Sequence, residues 1–193
     1  GHCAYSGDCA RWRTGCGQCP DLATYPPLSS DTTAAQWQRK NRLYAASSIA
    51  IVAPASWSER LAKESPLLSR FDVRRIPNGV ETAVFAPMER GRACAMLGIA
   101  DAPATILFGA HIAGETRKGG TTLIAALNRL GARPGLRILA LGRGGDELAR
   151  QVPQPVVSTG YLEESAKIAA AIAASDIVAI PSRADNLPNT VLE

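Results

Sequence analysis

Two acids close the chain, Asp185 and Glu193, with seven residues between them in the stretch ADNLPNTVLE. Asn186, Leu187, Asn189 and Thr190 lie between them, where a loop reads as opening into a helix. Amides at a helix start hold phosphate, and a carboxylate accepts from a vicinal diol through a charge-assisted bond. The set therefore suits a polyhydroxylated anion. The plainer reading of Asp185 is an acid that complements a helix dipole. A second stretch, FGAHIAGETRKGG, ends a strand at Phe108-Gly109 and delivers Arg117 and Lys118 just before a helix. Two cations, free N–H groups and a helix dipole make an anion site, although such a pair alone reads as a solvated basic loop. A third, LGRGG, puts Gly142, Gly144 and Gly145 after a strand, where a ligand can approach the backbone. It lacks the full glycine pattern of a dinucleotide signature.

Four of the five cysteines crowd the first twenty positions: Cys3, Cys9, Cys16 and Cys19, with five, six and two residues between them. The Cys16-Gly17-Gln18-Cys19 spacing lets two thiolates share one tetrahedral metal. Four thiolates suit a structural Zn²⁺, with His2 as a spare ligand. Two disulfides, in an oxidising compartment, and inert thiols are the other readings. Cys94, in RGRACAMLGI, reads as a small buried apolar residue.

These residues need a scaffold, and the hydrophobic pattern supplies one. Residues 1–32 are rich in Gly, Cys, Pro and Ser and read as an irregular loop. TAAQWQRKNRLYAAS predicts a helix with Trp37, Leu43 and Tyr44 on one face. IAIVAP is a short buried strand. SWSERLAKES is a helix capped by Ser56, with Glu59 completing a capping box. FDVRRIPNGVETAVFAP is a strand, a turn at Pro77-Asn78-Gly79 and a linker, and RGRACAMLGI a short helix. From Ala104 onward the order is strand, helix, strand, helix, strand, helix, strand. That alternation predicts an α/β fold with a parallel sheet, which binds ligands at the carboxyl ends of its strands. The chain thus divides into 1–77, the tail of one α/β domain with the Cys-rich loop; 78–103, a linker; and 104–193, most of a second α/β domain.

Hydrophobic residues make up 46% of the 193 and charged residues 20%, which fits a packed core and excludes a disordered chain. The net charge of +4 suits a phosphate-bearing partner but is also ordinary for a surface. No run of about eighteen apolar residues reads as a membrane span, and no signal peptide is visible.

With these residues in place, the pattern DIVAIPSRADNLPNTVLE resembles the donor-site signature of retaining GT-B glycosyltransferases of the family-four group, whose hallmark is two acids separated by seven residues. The RKGG loop, IPNGVE and GHCAYSGDCARWRTGCGQCPDLATYP resemble one colanic-acid-type, polysaccharide-assembly branch. The resemblance implies two Rossmann-like domains, an acceptor-side one and a donor-side one, that close on their substrates. It implies transfer of a sugar from a nucleotide-sugar to a glycan or lipid-linked acceptor. Arg117 and Lys118 would neutralise the diphosphate, Asp185 would touch the transferred sugar, and the amides of Asn186 and Leu187 would help hold it. Glu193 would accept from the ribose hydroxyls, with Thr190 near the diphosphate. Tyr161 and Leu162 would lie beside the base, Gly142 would leave room for the nucleoside, and Gly109 would join the donor set at its strand end. No metal is expected at the chemistry. The family commonly has Glu where this chain has Asp185, so the reach is one methylene shorter, and Pro188 has no N–H to donate. The resemblance also implies a fragment, inactive by itself, of a cytoplasmic protein working at or near the inner face of the membrane.

Two other classes compete. A zinc-containing, basic nucleic-acid-binding module draws on the knuckle cysteines, Arg11, Trp12, Arg13 and the net charge. Its basic residues form no single stripe, however, and aromatics are only 5%. A dinucleotide-dependent oxidoreductase needs a complete Gly fingerprint in its first βα unit, which is missing. The paired acids with the Arg-Lys loop favour the glycosyltransferase.

Overall fold

The computed structural model describes residues 9–23, 28–112, 118–183 and 185–193; the side chains of residues 110–112 are outside that description. The chain forms two compact units, Gly1–Asn78 and Gly79–Glu193.

In the first unit, helix α1 (Thr33–Ala45) is followed by β1 (Ala50–Ala53), α2 (Ser56–Glu64) and β2 (Asp72–Arg75). The two strands pair in parallel, Ala50 opposite Asp72, with α2 as the crossover. A short 3-10 turn, Arg11–Arg13, interrupts the loop and buries Trp12, which is 3% exposed. Trp37 Nε1 donates to the Trp12 carbonyl at 2.9 Å, and Tyr44 packs edge-on against Phe71. Leu43 does not share that face and is 55% exposed. At about 100° per residue Tyr44 falls under Trp37 after two turns, whereas Leu43 is swung well away. The cap of α2 also differs from expectation. Ser56 is the first helical residue, and the cap position belongs to Ala55. Ser58 closes the turn instead, its Oγ accepting from the Ala55 amide and donating to the Ala55 carbonyl. Glu59 pairs with Lys63 one turn later, at 2.7 Å.

The second unit begins with α3 (Arg90–Leu97), whose Glu89 side chain caps it by accepting from the amides of Gly91 and Arg92. Then come β3 (Ala104–Ile112), α4 (Gly120–Leu130), β4 (Leu136–Arg143), α5 (Gly145–Ala149), β5 (Val156–Gly160), α6 (Ser165–Ala173) and β6 (Ile177–Ala179). All four strands run parallel in the order β5-β4-β3-β6. Side chains alternate across the sheet. Leu107 and Leu139 point to one face, onto Ala171 of α6 and Leu97 and Ile99 near α3. Phe108, Ile138 and Ala140 point to the other, onto Leu123 and Leu127 of α4 and Leu148 of α5. Each such fully buried Leu or Ile contributes roughly 1.5–3 kcal/mol. Helix α3, in the stretch read as a linker, buries Ala93 and Cys94 against Ala170 of α6 and Ala174 at its C-cap. Cys94 is thus the apolar core residue that its context suggests.

The amino ends of the strands are tied by charge. Arg90 donates to Asp101 at 2.6 Å, to Asp176 at 2.7 Å and to the Ala102 carbonyl. Asp176 also accepts from the Thr105 amide, so α3, β3 and the start of β6 share one knot. Buried Arg137 donates to the same threonine hydroxyl and to the Ala100 carbonyl.

At the carboxyl ends a steric fit does the equivalent. Gly119 caps α4 with φ +75°, and a Cβ there would lie 1.9 Å from the Pro181 carbonyl oxygen, just past β6. Only glycine lets these two backbones meet.

Two outcomes are expected. Gly119→Ala combines left-handed strain with overpacking and should cost roughly 2–4 kcal/mol in urea unfolding; a loss under about 0.5 kcal/mol would show the contact to be slack. The Thr105 amide and the Arg90 guanidinium hold the Asp176 carboxyl below its ordinary range. Its contribution is therefore complete above the unfolded pKa and lost as pH falls through the folded one. Unfolding midpoints should drop more steeply between about pH 5 and 3 in the wild type than in Asp176→Asn.

Candidate functional site

The strand order places a reversal between β3 and β6: from β3 the chain moves to β4 and β5 on one side, then returns to β6 on the other. Loops leaving the two strands diverge there, and the crevice outside their carboxyl ends is where such sheets bind ligands. The chain sends Lys118 there from the β3–α4 loop and Asp185 from the segment after β6. Lys118 Nζ lies 2.6 Å from Asp185 Oδ2, with side chains 27% and 18% exposed. Residues 67 positions apart are thus brought into one ion pair, partly sheltered from water. The Gly119–Pro181 fit explains the meeting, since it seats the start of α4 on the exit of β6 next to both residues. Arg117 lies outside the described residues.

The other expected residues fall along the same edge. Gly109, exposed, pairs with Leu141 near the end of β3. Gly142 is buried with φ +109° at the end of β4 and pairs with Gly160 of β5. Gly145 packs so tightly that an added Cβ would sit 2.3 Å from Ser158 Oγ, so this glycine draws α5 onto β5. Tyr161 and Leu162 follow β5, and Tyr161 stands 58% exposed. One residue was missed from the sequence: Arg143, whose guanidinium lies 6.0 Å from the Tyr161 ring centroid. That is the reach of a cation–π contact. A cation closing a strand just before a Gly-Gly turn was the available signal.

Asn186 is exposed and Leu187 half-buried. The stretch read as a helix start is a 3-10 turn, Asn189–Val191, with Pro188 at its cap. Its last bonds return from Leu192 and Glu193 to the Asn189 carbonyl. Thr190 is half-buried within it. Glu193 is not gathered into the Lys118–Asp185 pair. It borders an open pocket with Phe85, Pro87, Met88, Ala169 and Ile172, on the α6 side of the sheet. Burial there pushes its carboxyl above the ordinary range.

The cysteine loop is ordered by hydrogen bonds. The Asp31 carboxylate accepts from the Cys19 amide at 2.8 Å and from the amide and hydroxyl of Thr33. Thr33 Oγ1 in turn accepts from the Gly17 amide at 3.0 Å. These bonds hold the Asp31 carboxyl below its usual range. Gly15, Cys16, Gly17 and Gln18 all have positive φ, so two non-glycine residues sit in the left-handed region. Cys9, Cys16 and Cys19 border one small pocket with Trp37 and Lys40. Among the described residues they form no disulfide, and no three His, Cys, Asp or Glu side chains make a metal cage. Cys3 and His2 lie outside the described residues. Among those described, no helix is long and apolar enough to cross a membrane.

The solved structures match both units, and the family match lies in the second. No curated protein matches the chain. Among solved structures it is similar to a sucrose-phosphate synthase from Thermosynechococcus elongatus, at 19% identity and TM-score 0.60, over 84% of this chain and 43% of that one. It is also similar to Anabaena HepE, solved in complex with UDP and glucose, at 19% identity and TM-score 0.59, over 76% and 41%. The chain therefore spans less than half the length of either structure. At such identity the likeness establishes the fold, an α/β architecture of GT-B type. Residues 103–193, which carry Lys118, Asp185 and Glu193, match the family described as Glycosyl transferases group 1.

Proposed function

We propose that this chain carries the donor-binding half of a retaining glycosyltransferase of the polysaccharide-assembly kind. In this reading residues 104–193 bind a nucleotide-sugar, residues 1–77 belong to the acceptor side, and the sugar passes to a glycan or lipid-linked acceptor. A lipid-linked acceptor would bring the protein to a membrane surface. The observation that carries the reading is the ion pair of Lys118 with Asp185 at the strand-order reversal, inside the segment that matches the family.

The chemistry follows from charge. Breaking the bond between anomeric carbon and phosphate leaves negative charge on the diphosphate. Lys118, with Arg117, and the amino end of α4 supply positive charge where that develops, which is the largest single lever available to such a site. These cations fill the role a divalent ion would otherwise take. Asp185 accepts from hydroxyls of the transferred sugar, aided by the amides of Asn186 and Leu187. Thr190 stands near the diphosphate, and Glu193 accepts from the ribose. Tyr161 and Leu162 line the base, Arg143 stiffens the tyrosine, and Gly109 and Gly142 leave space for the nucleoside. Anabaena HepE, captured with UDP and glucose, supports a ligand of this chemistry on a similar fold.

The test is a titration of the purified protein with UDP-, ADP- and GDP-sugars. Lys118→Ala should weaken the best ligand by about ten- to a hundredfold, the range of a lost charge-assisted bond. Glu193→Ala should weaken it too. If neither substitution does, or if only nucleic acid binds and does so with a steep salt dependence, the reading fails. Because burial raises the Glu193 pKa, its protonation begins at a higher pH than for an ordinary glutamate. Wild-type affinity should therefore fall on mild acidification, and Glu193→Gln should flatten that fall.

A further inference from the structure

Lys118, the cation assigned to the diphosphate, is paired with a carboxylate. Lys118 and Asp185 are in direct contact at 2.6 Å, in a place where both are more than two-thirds covered. The Gly119–Pro181 fit holds the start of α4 against the exit of β6, next to Lys118 and four residues before Asp185. An exchange of partners by the side chains leaves that contact in place. A diphosphate that takes Lys118 leaves Asp185 a bare carboxylate beside a polyanion. That is unfavourable unless something donates to it.

A nucleotide-sugar supplies the donors, since its hexose hydroxyls lie next to the β-phosphate. A spent nucleoside diphosphate has no hexose, and its ribose hydroxyls are the ones that the donor-site reading gives to Glu193. Its terminal phosphate also carries about one more negative charge near neutral pH than the esterified one. The same carboxylate thus meets the loaded donor with a hydrogen bond and the spent one with repulsion. Resting on the donor-site reading above, we propose that Asp185 is a specificity-determining residue that favours sugar-loaded donor over free nucleoside diphosphate. It does so by releasing Lys118 only in exchange for sugar hydroxyls. Product release is then assisted by recapture of Lys118.

The proposal predicts opposite signs for one substitution. Affinities are measured by calorimetry for UDP, ADP and GDP and for UDP-glucose, ADP-glucose and GDP-mannose, following the pair that the wild type binds best. Asp185→Asn should bind the nucleoside diphosphate at least threefold more tightly, and the nucleotide-sugar no more tightly than the wild type. Asp185→Glu, which keeps the charge, should keep the wild-type preference and guards against a folding defect in the first variant. On a Lys118→Met background, Asp185→Asn should lose most of its gain for the nucleoside diphosphate, since there is no cation left to free. An Asp185→Asn protein that weakens both ligands alike, or leaves nucleoside diphosphate affinity unchanged, overturns this inference while the donor-site reading survives. If Lys118→Ala and Glu193→Ala proteins both bind the two ligands as the wild type does, that reading is removed as well.

Discussion

The second unit depends on one place where there is no room. The amino end of α4 meets the backbone leaving β6 so closely that a single methyl group at position 119 would collide with the Pro181 carbonyl. That contact joins elements from opposite ends of the unit. It also lies at the point where the strand order turns back on itself, so the tightest backbone packing and the most exposed loop chemistry share one spot. The ion pair of Lys118 and Asp185 follows from it. A lysine reaching a carboxylate on an independent loop would have to give up much rotamer freedom. On loops already locked together the meeting is cheap, which explains how a partly exposed pair can be well defined.

The two edges of the sheet divide the labour. At the amino edge, Arg90 and Asp176 bind helix, strand and strand into one network of charge-assisted bonds. At the carboxyl edge the backbone is open, rich in glycine and lined with charge.

The parallel sheet was legible because its signal is periodic. Leu107 and Phe108, or Ile138 and Leu139, sit in short apolar runs between helix patterns, and their length and flanking glycines and prolines mark them as buried strands. That Lys118 and Asp185 belong to one site was read only through the motif and its resemblance; their direct pairing was not expected, since nothing in the spacing of residues 67 apart says that they touch. What escaped the sequence did so for identifiable reasons. Leu43 looked like a core residue because one step along a helix turns a side chain by a third of a circle. Ser56 and Ala55 differ by one position, within the blur of any helix boundary. The anchoring of the cysteine loop by Asp31 and Thr33 uses side-chain-to-amide bonds across 12 and 16 residues, which leave no periodic trace. Glu193 shares a pocket with residues near position 86, which required the fold itself to reveal.

Helix α6 carries a consequence of another kind. It offers Ala171 to the sheet and Ala170 and Ala174 to α3, all with essentially no surface left to water. Methyl-sized side chains on both flanks leave no slack, so this layer tolerates no increase in volume at any single position. Variation there has to arrive as matched exchanges, a larger residue on α6 answered by a smaller one on α3. Laboratory evolution of the protein would accordingly find this interface slow to drift while the loops of the far edge change freely.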